Sequence, residues 1–269
     1  ELKRCKDMNI LLKMAFLFFI GSMLGWCIEL IFRKFFASDN PEHKWINPGF
    51  LVGPYLPLYG FGLTMLYLLA QLEQFSFIKN PILNKIVLFI MMAICMTIIE
   101  YIAGLIFIKG MKVKLWDYSD LWGNIQGIIC PLFSFFWAVL GAVYYFFINP
   151  YILDALDWLS KNLAFSFFIG MFFGVFLIDF VYSAKLLSKI KAFAQENDII
   201  VRYEHLKAQI SSARAARREK PRFVLAFRSE TPFVESLKQY AEKYREKLEA
   251  AAREKGAKRS DKVDKTDDK

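Results

Sequence analysis

Three carboxylates stand where hydrocarbon is expected. Glu29 lies in "GSMLGWCIELIF", Glu100 in "MTIIEYIAGLIF" and Asp179 in "GVFLIDFVYSA", each inside an apolar run. A charged side chain at the centre of a bilayer costs at least about 2.5 kcal/mol on insertion scales, so such a group needs either a task or a partner. A buried acid can carry a proton, hold a cation or metal, or pair with a buried base or backbone donor. Arg33, one helical turn after Glu29, is a candidate for the last of these. Trp26 shares the Glu29 face with Ser22 and Gly25, a small and polar surface that points at protein. Asp179 sits near the end of its run, where a carboxylate can reach water instead.

A second polar group occupies "KLWDYSDLWGNIQGIICPLFS" at 114–134. Asp117, Tyr118, Ser119 and Asn124 could bind a ligand, and Asp117 or Ser119 could equally cap a helix. Trp116, Tyr118 and Trp122 suit a membrane interface, where amphipathic aromatics gather. Asp117 meeting Glu29 and Glu100 would favour a hard cation such as Mg²⁺ over zinc, because His43 and His205 lie outside the apolar runs. The residues leave the metal unknown.

The third feature is "NPGFLVGPYLPLYGFG" at 47–62, with Asn47, Gly49, Gly53, Pro54, Pro57, Tyr59, Gly60 and Gly62. Gly and Pro punctuate loops, yet this stretch is apolar. Prolines leave carbonyls unpaired, which is tolerated at membrane depth only inside protein or beside a wet cavity. The stretch therefore reads as an interfacial turn at 47–49 that becomes a broken helix from about Leu51. It would line a polar interior shared with Glu29 and Glu100.

The elements that must position these groups are long and greasy. The chain has 269 residues, 56% of them hydrophobic, and 28 are Phe. Apolar runs near 10–32, 51–72, 84–108, 126–148 and 163–184 approach the roughly 20 residues that cross a bilayer core about 30 Å thick. In lipid each must satisfy its own backbone, so they are read as helices; strand-like alternation is absent. The expectation is an all-α, polytopic membrane helix bundle of about five transmembrane helices, with a re-entrant sixth piece near 115–130 as an option. Small residues recur at helical spacing, as in Ala93, Thr97, Glu100 and Gly104, or Gly127, Pro131, Ser134, Ala138 and Gly141, or Gly170 and Gly174. Such stripes let membrane helices approach closely.

Charge divides the chain. Of the 35 Lys and Arg, 22 follow residue 184, against 14 of the 26 Asp and Glu. This separates a membrane bundle at 1–184 from a helical tail at 185–255 and a charged C-terminus at 256–269, expected to be disordered beyond Gly256. The tail's basic excess suits anionic lipid or plain solvation, and no nucleic acid is expected as a partner. An odd number of spans places Arg33, Lys34, Lys44, Lys109, Lys112 and Lys114 on the tail's side, which argues for an outside N-terminus and a cytoplasmic C-terminus. Cys5, Cys27, Cys95 and Cys130 form no disulfide framework. The first apolar run exceeds a signal peptide's usual length, and Trp26 before Cys27 spoils a lipoprotein site, so the segment reads as retained.

Over roughly 10–184 the chain resembles the bacterial membrane proteins grouped as "Putative ABC-transporter type IV", or CmpB-like. The resemblance rests on Gly25-Trp26 with Glu29; on Asn47, Gly49-Phe50-Leu51, Gly53-Pro54, Pro57 and Tyr59-Gly60-Phe61-Gly62; on Glu100; on Trp116-Asp117-Tyr118-Ser119, Asn124, Gly127 and Cys130; and on Ser134, Trp137 and Asp179. Three positions depart from that pattern: Pro48 replaces an Arg, Phe107-Ile108 lacks a second acid, and Ala138 replaces a Gly.

The resemblance implies a permease-like transport component of the bacterial inner membrane, its buried carboxylates in a polar interior open to the cytoplasmic side. The chain contains no GxxxxGK[ST], so an ATP-driven system would need a separate ATPase subunit. No cofactor is implied, and a homo-oligomer is compatible with it. Two other functions stay open: an intramembrane enzyme acting on a lipid or lipid-linked substrate, and a non-catalytic membrane scaffold that binds through its tail.

Overall fold

The computed structural model describes residues 9–36, 40, 43–72, 80–217, 219, 225, 227 and 232–267. Helix α1 is Ile10–Phe35, opened by Asn9, whose side chain accepts from the Leu11 amide at 2.9 Å. Helix α2 is Pro57–Leu72, and α3 is Pro81–Leu105, which runs on as a wider π-turn over Ile106–Gly110. Helix α4, Pro131–Val143, passes through a second π-turn at Tyr144–Ile148 into α5, Asn149–Lys161. Helix α6 is Ser166–Glu196, α7 is Tyr203–Ala216 and α8 is Phe233–Asp267. Pro57, Pro81 and Pro131 each stand at a helix start, where a missing N–H and a fixed φ cost nothing.

Four of these helical stretches are long and apolar enough to cross a membrane: Ile10–Phe35, Ile82–Gly110, Pro131–Lys161 and Leu163–Glu196. The chain is thus an all-α membrane helix bundle. The expected second span differs in kind. Helix α2 has 16 residues and reaches about 24 Å at 1.5 Å per residue, short of a full bilayer core. Residues 51–56, expected to be helical, are not; the helix waits for Pro57, the first position where proline is tolerated. The fourth run likewise starts at Pro131 and not near 126, and 115–130 forms a turn-rich loop without helix. Helix α8 continues through Gly256, where a stop and disorder were expected, because one glycine costs a helix only about 1 kcal/mol.

Two hydrophobic cores form among the described residues. The first joins α1 to α5 around Leu17, Leu66, Met92, Met96, Trp137 and Leu156. The second joins the C-terminal part of α6 to α7 and α8 through Leu187, Ile190, Tyr203, Leu206, Leu237 and Tyr240, and takes in Val113 from the α3–α4 loop. Helix α6 belongs to both halves, so the boundary expected at 184 falls within one continuous helix. A short parallel pair also ties them, with β1 (Val113–Lys114) beside β2 (Val201–Arg202). The loops after α1 and α3 therefore lie on the same side as the segment after α6.

Candidate functional site

Helices α1 and α2 pack almost backbone to backbone. A Cβ on Gly25 would collide with Tyr59, and one on Gly60 with Ser22 and Phe18. This closeness delivers the Tyr59 hydroxyl to Glu29 Oε2, to which it donates at 3.0 Å. Glu29 Oε1 accepts from Arg33 Nε at 2.9 Å. Arg33 does not stop there, since its Nη1 lies 3.1 Å from Glu204 Oε2 on α7. Glu204 Oε1 in turn meets Lys207 Nζ at 3.1 Å. Four charges of alternating sign thus run from the interior of α1 to the tail. Burial opposes both tail charges. The cations Arg33 and Lys207 outweigh it and hold the Glu204 carboxyl below the usual range, whereas burial prevails at Lys207 and lowers it.

Lys207 continues the chain into the proline-rich loop. Its ammonium donates to the carbonyls of Asn47 and Gly49, both at 2.9 Å, on either side of Pro48. Asn47 Oδ1 accepts from Trp26 Nε1 at 2.7 Å, and Asn47 Nδ2 donates to the carbonyls of Leu51 and Val52. Gly49 has φ +74°, a left-handed backbone that suits glycine. Asp179 then gathers the next residues. Its carboxylate accepts from the amides of Val52 and Gly53, the latter at 2.7 Å, from Tyr55 Oη at 2.6 Å and from Ser183 Oγ at 3.0 Å. Leu56 donates its amide to the Ser22 carbonyl at 2.9 Å. Residues 47–56 are consequently a protein-packed segment, and Leu51 and Tyr55 are buried in it.

Glu100 on α3 is closed differently. Trp137 Nε1 on α4 donates to Oε2 at 2.9 Å, and Tyr118 Oη donates to Oε1 at 3.0 Å. Only 3% of the residue is exposed, and among the described residues no Lys or Arg pairs with it. Burial and the neighbouring Glu100 carboxylate push the Tyr118 hydroxyl above the usual tyrosine range, which keeps it a donor. Phe133 stacks on the Tyr118 ring at 4.3 Å between centroids. The Tyr59 and Trp137 rings meet at 5.6 Å, so the residues serving Glu29 and Glu100 touch across the bundle. Close packing also holds here, since Gly62 admits only the Met96 side chain and Gly104 faces Ile128.

The 114–134 loop is built as a clasp. Asp117 Oδ1 accepts from Lys114 Nζ at 2.9 Å and from the amide and hydroxyl of Ser119, while its Oδ2 lies 2.9 Å from Arg202 Nη2. Burial raises the Asp117 carboxyl, but the Ser119 and Lys114 hydrogen bonds and the Arg202 charge outweigh it and leave it below the usual range. Lys114 and Arg202 are themselves neighbours across the β1–β2 pair, so Asp117 staples that pair. Asn124 bonds the carbonyls of Ser119 and Leu121 and accepts from Gly127 N. Gly127 has φ +67°, and a Cβ there would press on Ser119, Asp117 and Lys114. Asp117, Ser119 and Asn124 are thereby spent on loop geometry and do not join Glu29 and Glu100. Among the described residues no three His, Cys, Asp or Glu converge as a metal site. A cavity of about 340 Å³ opens elsewhere, where α1, α2 and α6 meet around Phe18, Phe61 and Phe173, and its lining is apolar.

The model of the family described as "Putative ABC-transporter type IV" matches residues 16–184, well over half of the chain. The chain belongs to this family. Neither the curated proteins nor the solved structures include a match. The match to the Putative ABC-transporter type IV family takes in Glu29, the proline-rich loop, Glu100, the clasp and Asp179, and ends before Glu204 and Lys207. Those two are among the residues that sequence reasoning missed, with Arg202, Tyr55 and Ser183. The spacing of three between Glu204 and Lys207 on a helix was a visible sign of a local ion pair, but nothing in the sequence pointed it toward Arg33 or Asn47.

Proposed function

We propose that this membrane protein is the permease-like component of a transport system, seated in the bacterial cytoplasmic membrane with its tail inside the cell. Its solute path follows the contact between the α1–α2 and α3–α4 helix pairs, past Glu29 and Glu100. The observation that carries this reading is Glu100: a carboxylate buried in an apolar helix and held only by neutral donors. Such a group can take up a proton or a small cation without breaking an ion pair, which suits a step in transport and is costly for a merely structural acid. Family membership supports the reading. Lys and Arg gather at the tail side, from Arg33 and Lys34 through Lys109, Lys112 and Lys114 to Lys185 and Lys189, which supports a cytoplasmic assignment for that face. An ATP-hydrolysing subunit, if one drives transport, is a separate protein docking there, because the chain has no phosphate-binding loop of its own.

The test uses cells lacking the protein, complemented with the native chain, Glu29→Gln or Glu100→Gln. Whole-cell profiling of ions and small solutes should find a solute whose level the native chain restores. The Glu100→Gln variant, present in the membrane at normal amount, should fail to restore it. Full restoration by both variants would sink the reading.

A further inference from the structure

Helix α6 is the least buried of the four long apolar stretches. It leans on α1 through aromatic rings, Phe173 and Phe176 on Phe18 and Phe172 on Phe19. Toward the end of α1 that lies away from the tail, these rings leave a groove. There α1 presents Leu11, Met14, Ala15 and Phe18, one stripe at steps of three and four, and the small Ala15 in its middle leaves the space unfilled. Phe61 and Thr64 of α2 form a second wall and Phe173 of α6 the third. Thr64 brings no free polar group, since its hydroxyl donates to the Gly60 carbonyl at 2.9 Å. Leu11 and Phe61 are exposed, so the groove opens sideways, where a membrane protein meets hydrocarbon.

The dimensions of the groove decide what fits it. From Leu11 to Phe18 the stripe runs about 10 Å along the α1 axis at 1.5 Å per residue. The cavity of about 340 Å³ spread over that length has a cross-section of roughly 30 Å². A helix about 10 Å across needs roughly 80 Å². A neighbouring helix, from a second copy or from another protein, can therefore touch the rim without entering, and one side chain reaching in from it fills only part of the length. Water finds no polar group there to hold it. An empty groove would forfeit the dispersion contacts of every ring around it. We propose that the groove is a binding site for one acyl chain of a bilayer phospholipid, which completes the packing between α1, α2 and α6. The rings of Phe18, Phe61 and Phe173 contact its methylenes, and Ala15 gives the groove its depth. This lipid differs from those against the outward face of α3, where Ile90, Ile94 and Ile98 are exposed on a convex helix surface with no groove to hold a chain. The site is independent of the acids and of the permease reading.

The test reconstitutes the full-length protein with a phosphatidylcholine that carries a diazirine midway along one acyl chain. One sample is irradiated in the intact bilayer and another after the solubilised protein has been washed exhaustively in detergent, and peptide mass mapping locates the adducts. In the bilayer, adducts should form both on the groove, at 11–18, Phe61 and Phe173, and on the α3 face at Ile90, Ile94 and Ile98. After washing, those on α3 should disappear while those on the groove remain. Ala15→Phe, which fills the groove, should abolish the surviving adducts and leave the α3 adducts formed in the bilayer unchanged. The milder Ala15→Leu should reduce them if the larger ring prevents insertion, and Ala15→Gly, which deepens the groove, should keep them. Groove adducts that wash away together with those on α3 would mean bulk lipid only and overturn the proposal. Native levels of washed adducts in both Ala15→Phe and Ala15→Leu overturn it too, as does a groove left unlabelled in the bilayer, whether or not a second copy covers it.

Discussion

Glu29 and Glu100 are acids on neighbouring helix pairs, the first half-buried and the second buried, and their surroundings solve the same problem in opposite ways. Glu29 is neutralised by charge, through Arg33 and on to Glu204 and Lys207 in the tail. Glu100 is held by dipoles alone, from Trp137 and Tyr118. An ion chain ties an acid to whatever carries the far partner, here a helix beyond the membrane bundle. Neutral donors leave an acid independent of distant elements and free to exchange a proton in place. The two acids thus differ in what lies within reach of them: a tail helix, through Arg33, for Glu29, and neutral groups of α4 and the 114–134 loop for Glu100.

The comparison breaks most visibly at Arg33. Replacement by Met strands Glu29 and Glu204 without their shared cation, and removal of one partner from a buried pair costs about 3–5 kcal/mol. Thermal unfolding of the detergent-solubilised Arg33→Met protein should show that loss, or the protein should fail to accumulate. Restoring neutrality with Glu29→Gln on the same background, where Glu204 keeps Lys207, should recover most of it. No recovery would mean that Arg33 matters for packing and not for charge.

On the Glu100 side the corresponding lesion is smaller. Trp137→Phe removes one neutral donor and leaves a buried carboxylate oxygen unpaired, which costs about 1–3 kcal/mol. A loss as large as that at Arg33 would erase the distinction between the two acids. Gly25→Ala probes the geometry of the Glu29 side without touching charge. Its methyl group must displace Tyr59, and overpacking of this kind costs about 1–3 kcal/mol. The same unfolding measurement checks both, and the Gly25 variant should also raise solvent access to Glu29.

Much of this arrangement was legible in the sequence, and the remainder was hidden for identifiable reasons. Acids in apolar runs announce themselves because lipid offers no alternative to a partner or a task, so Glu29, Glu100 and Asp179 stood out. The proline-rich loop was visible as unusual, but its start as a helix was placed six residues early. An apolar composition looks the same in a buried loop as in a span, and only the loop amides that donate to Asp179 and to the Ser22 carbonyl show which one it is. The tail residues were out of reach, since Lys207 lies 160 positions from the Asn47 carbonyl it binds. Polar tail residues read as solvated until the fold brings them home. Asp117 was offered as a ligand or a helix cap, and its contacts with Lys114 and Arg202 were not legible, because those two become neighbours only when β1 and β2 pair.

That staple and Glu204 permit a prediction about pH. Both carboxyl groups are held below their usual range in the folded protein. A group with a lowered folded pKa contributes stability that is fully present above its unfolded value, about 4, and is lost as pH falls through the folded one. Docking of the tail onto the bundle should therefore be flat between about pH 5 and 8 and weaken only below about 4. Hydrogen exchange at 199–207, followed across that range, should show it, and Asp117→Asn should weaken the docking already at neutral pH while flattening the acid response. A docking equilibrium that changes steeply near pH 6 would point to a different titrating group.

The smallest effect belongs to the helix that shares neither acid. Gly170 and Gly174 sit on α6 with open space where a Cβ would go, unlike Gly25 or Gly60 on the close α1–α2 contact. Alanine at Gly170 meets nothing within the chain and removes a glycine from a helix interior, which favours the helix by about 0.5–1 kcal/mol. Thermal unfolding of Gly170→Ala should accordingly be unchanged or slightly raised, against the clear loss at Gly25. A loss at Gly170 comparable to that at Gly25 would show that α6 packs against something in the membrane as tightly as α1 packs on α2, and the contrast drawn from the isolated chain would no longer hold.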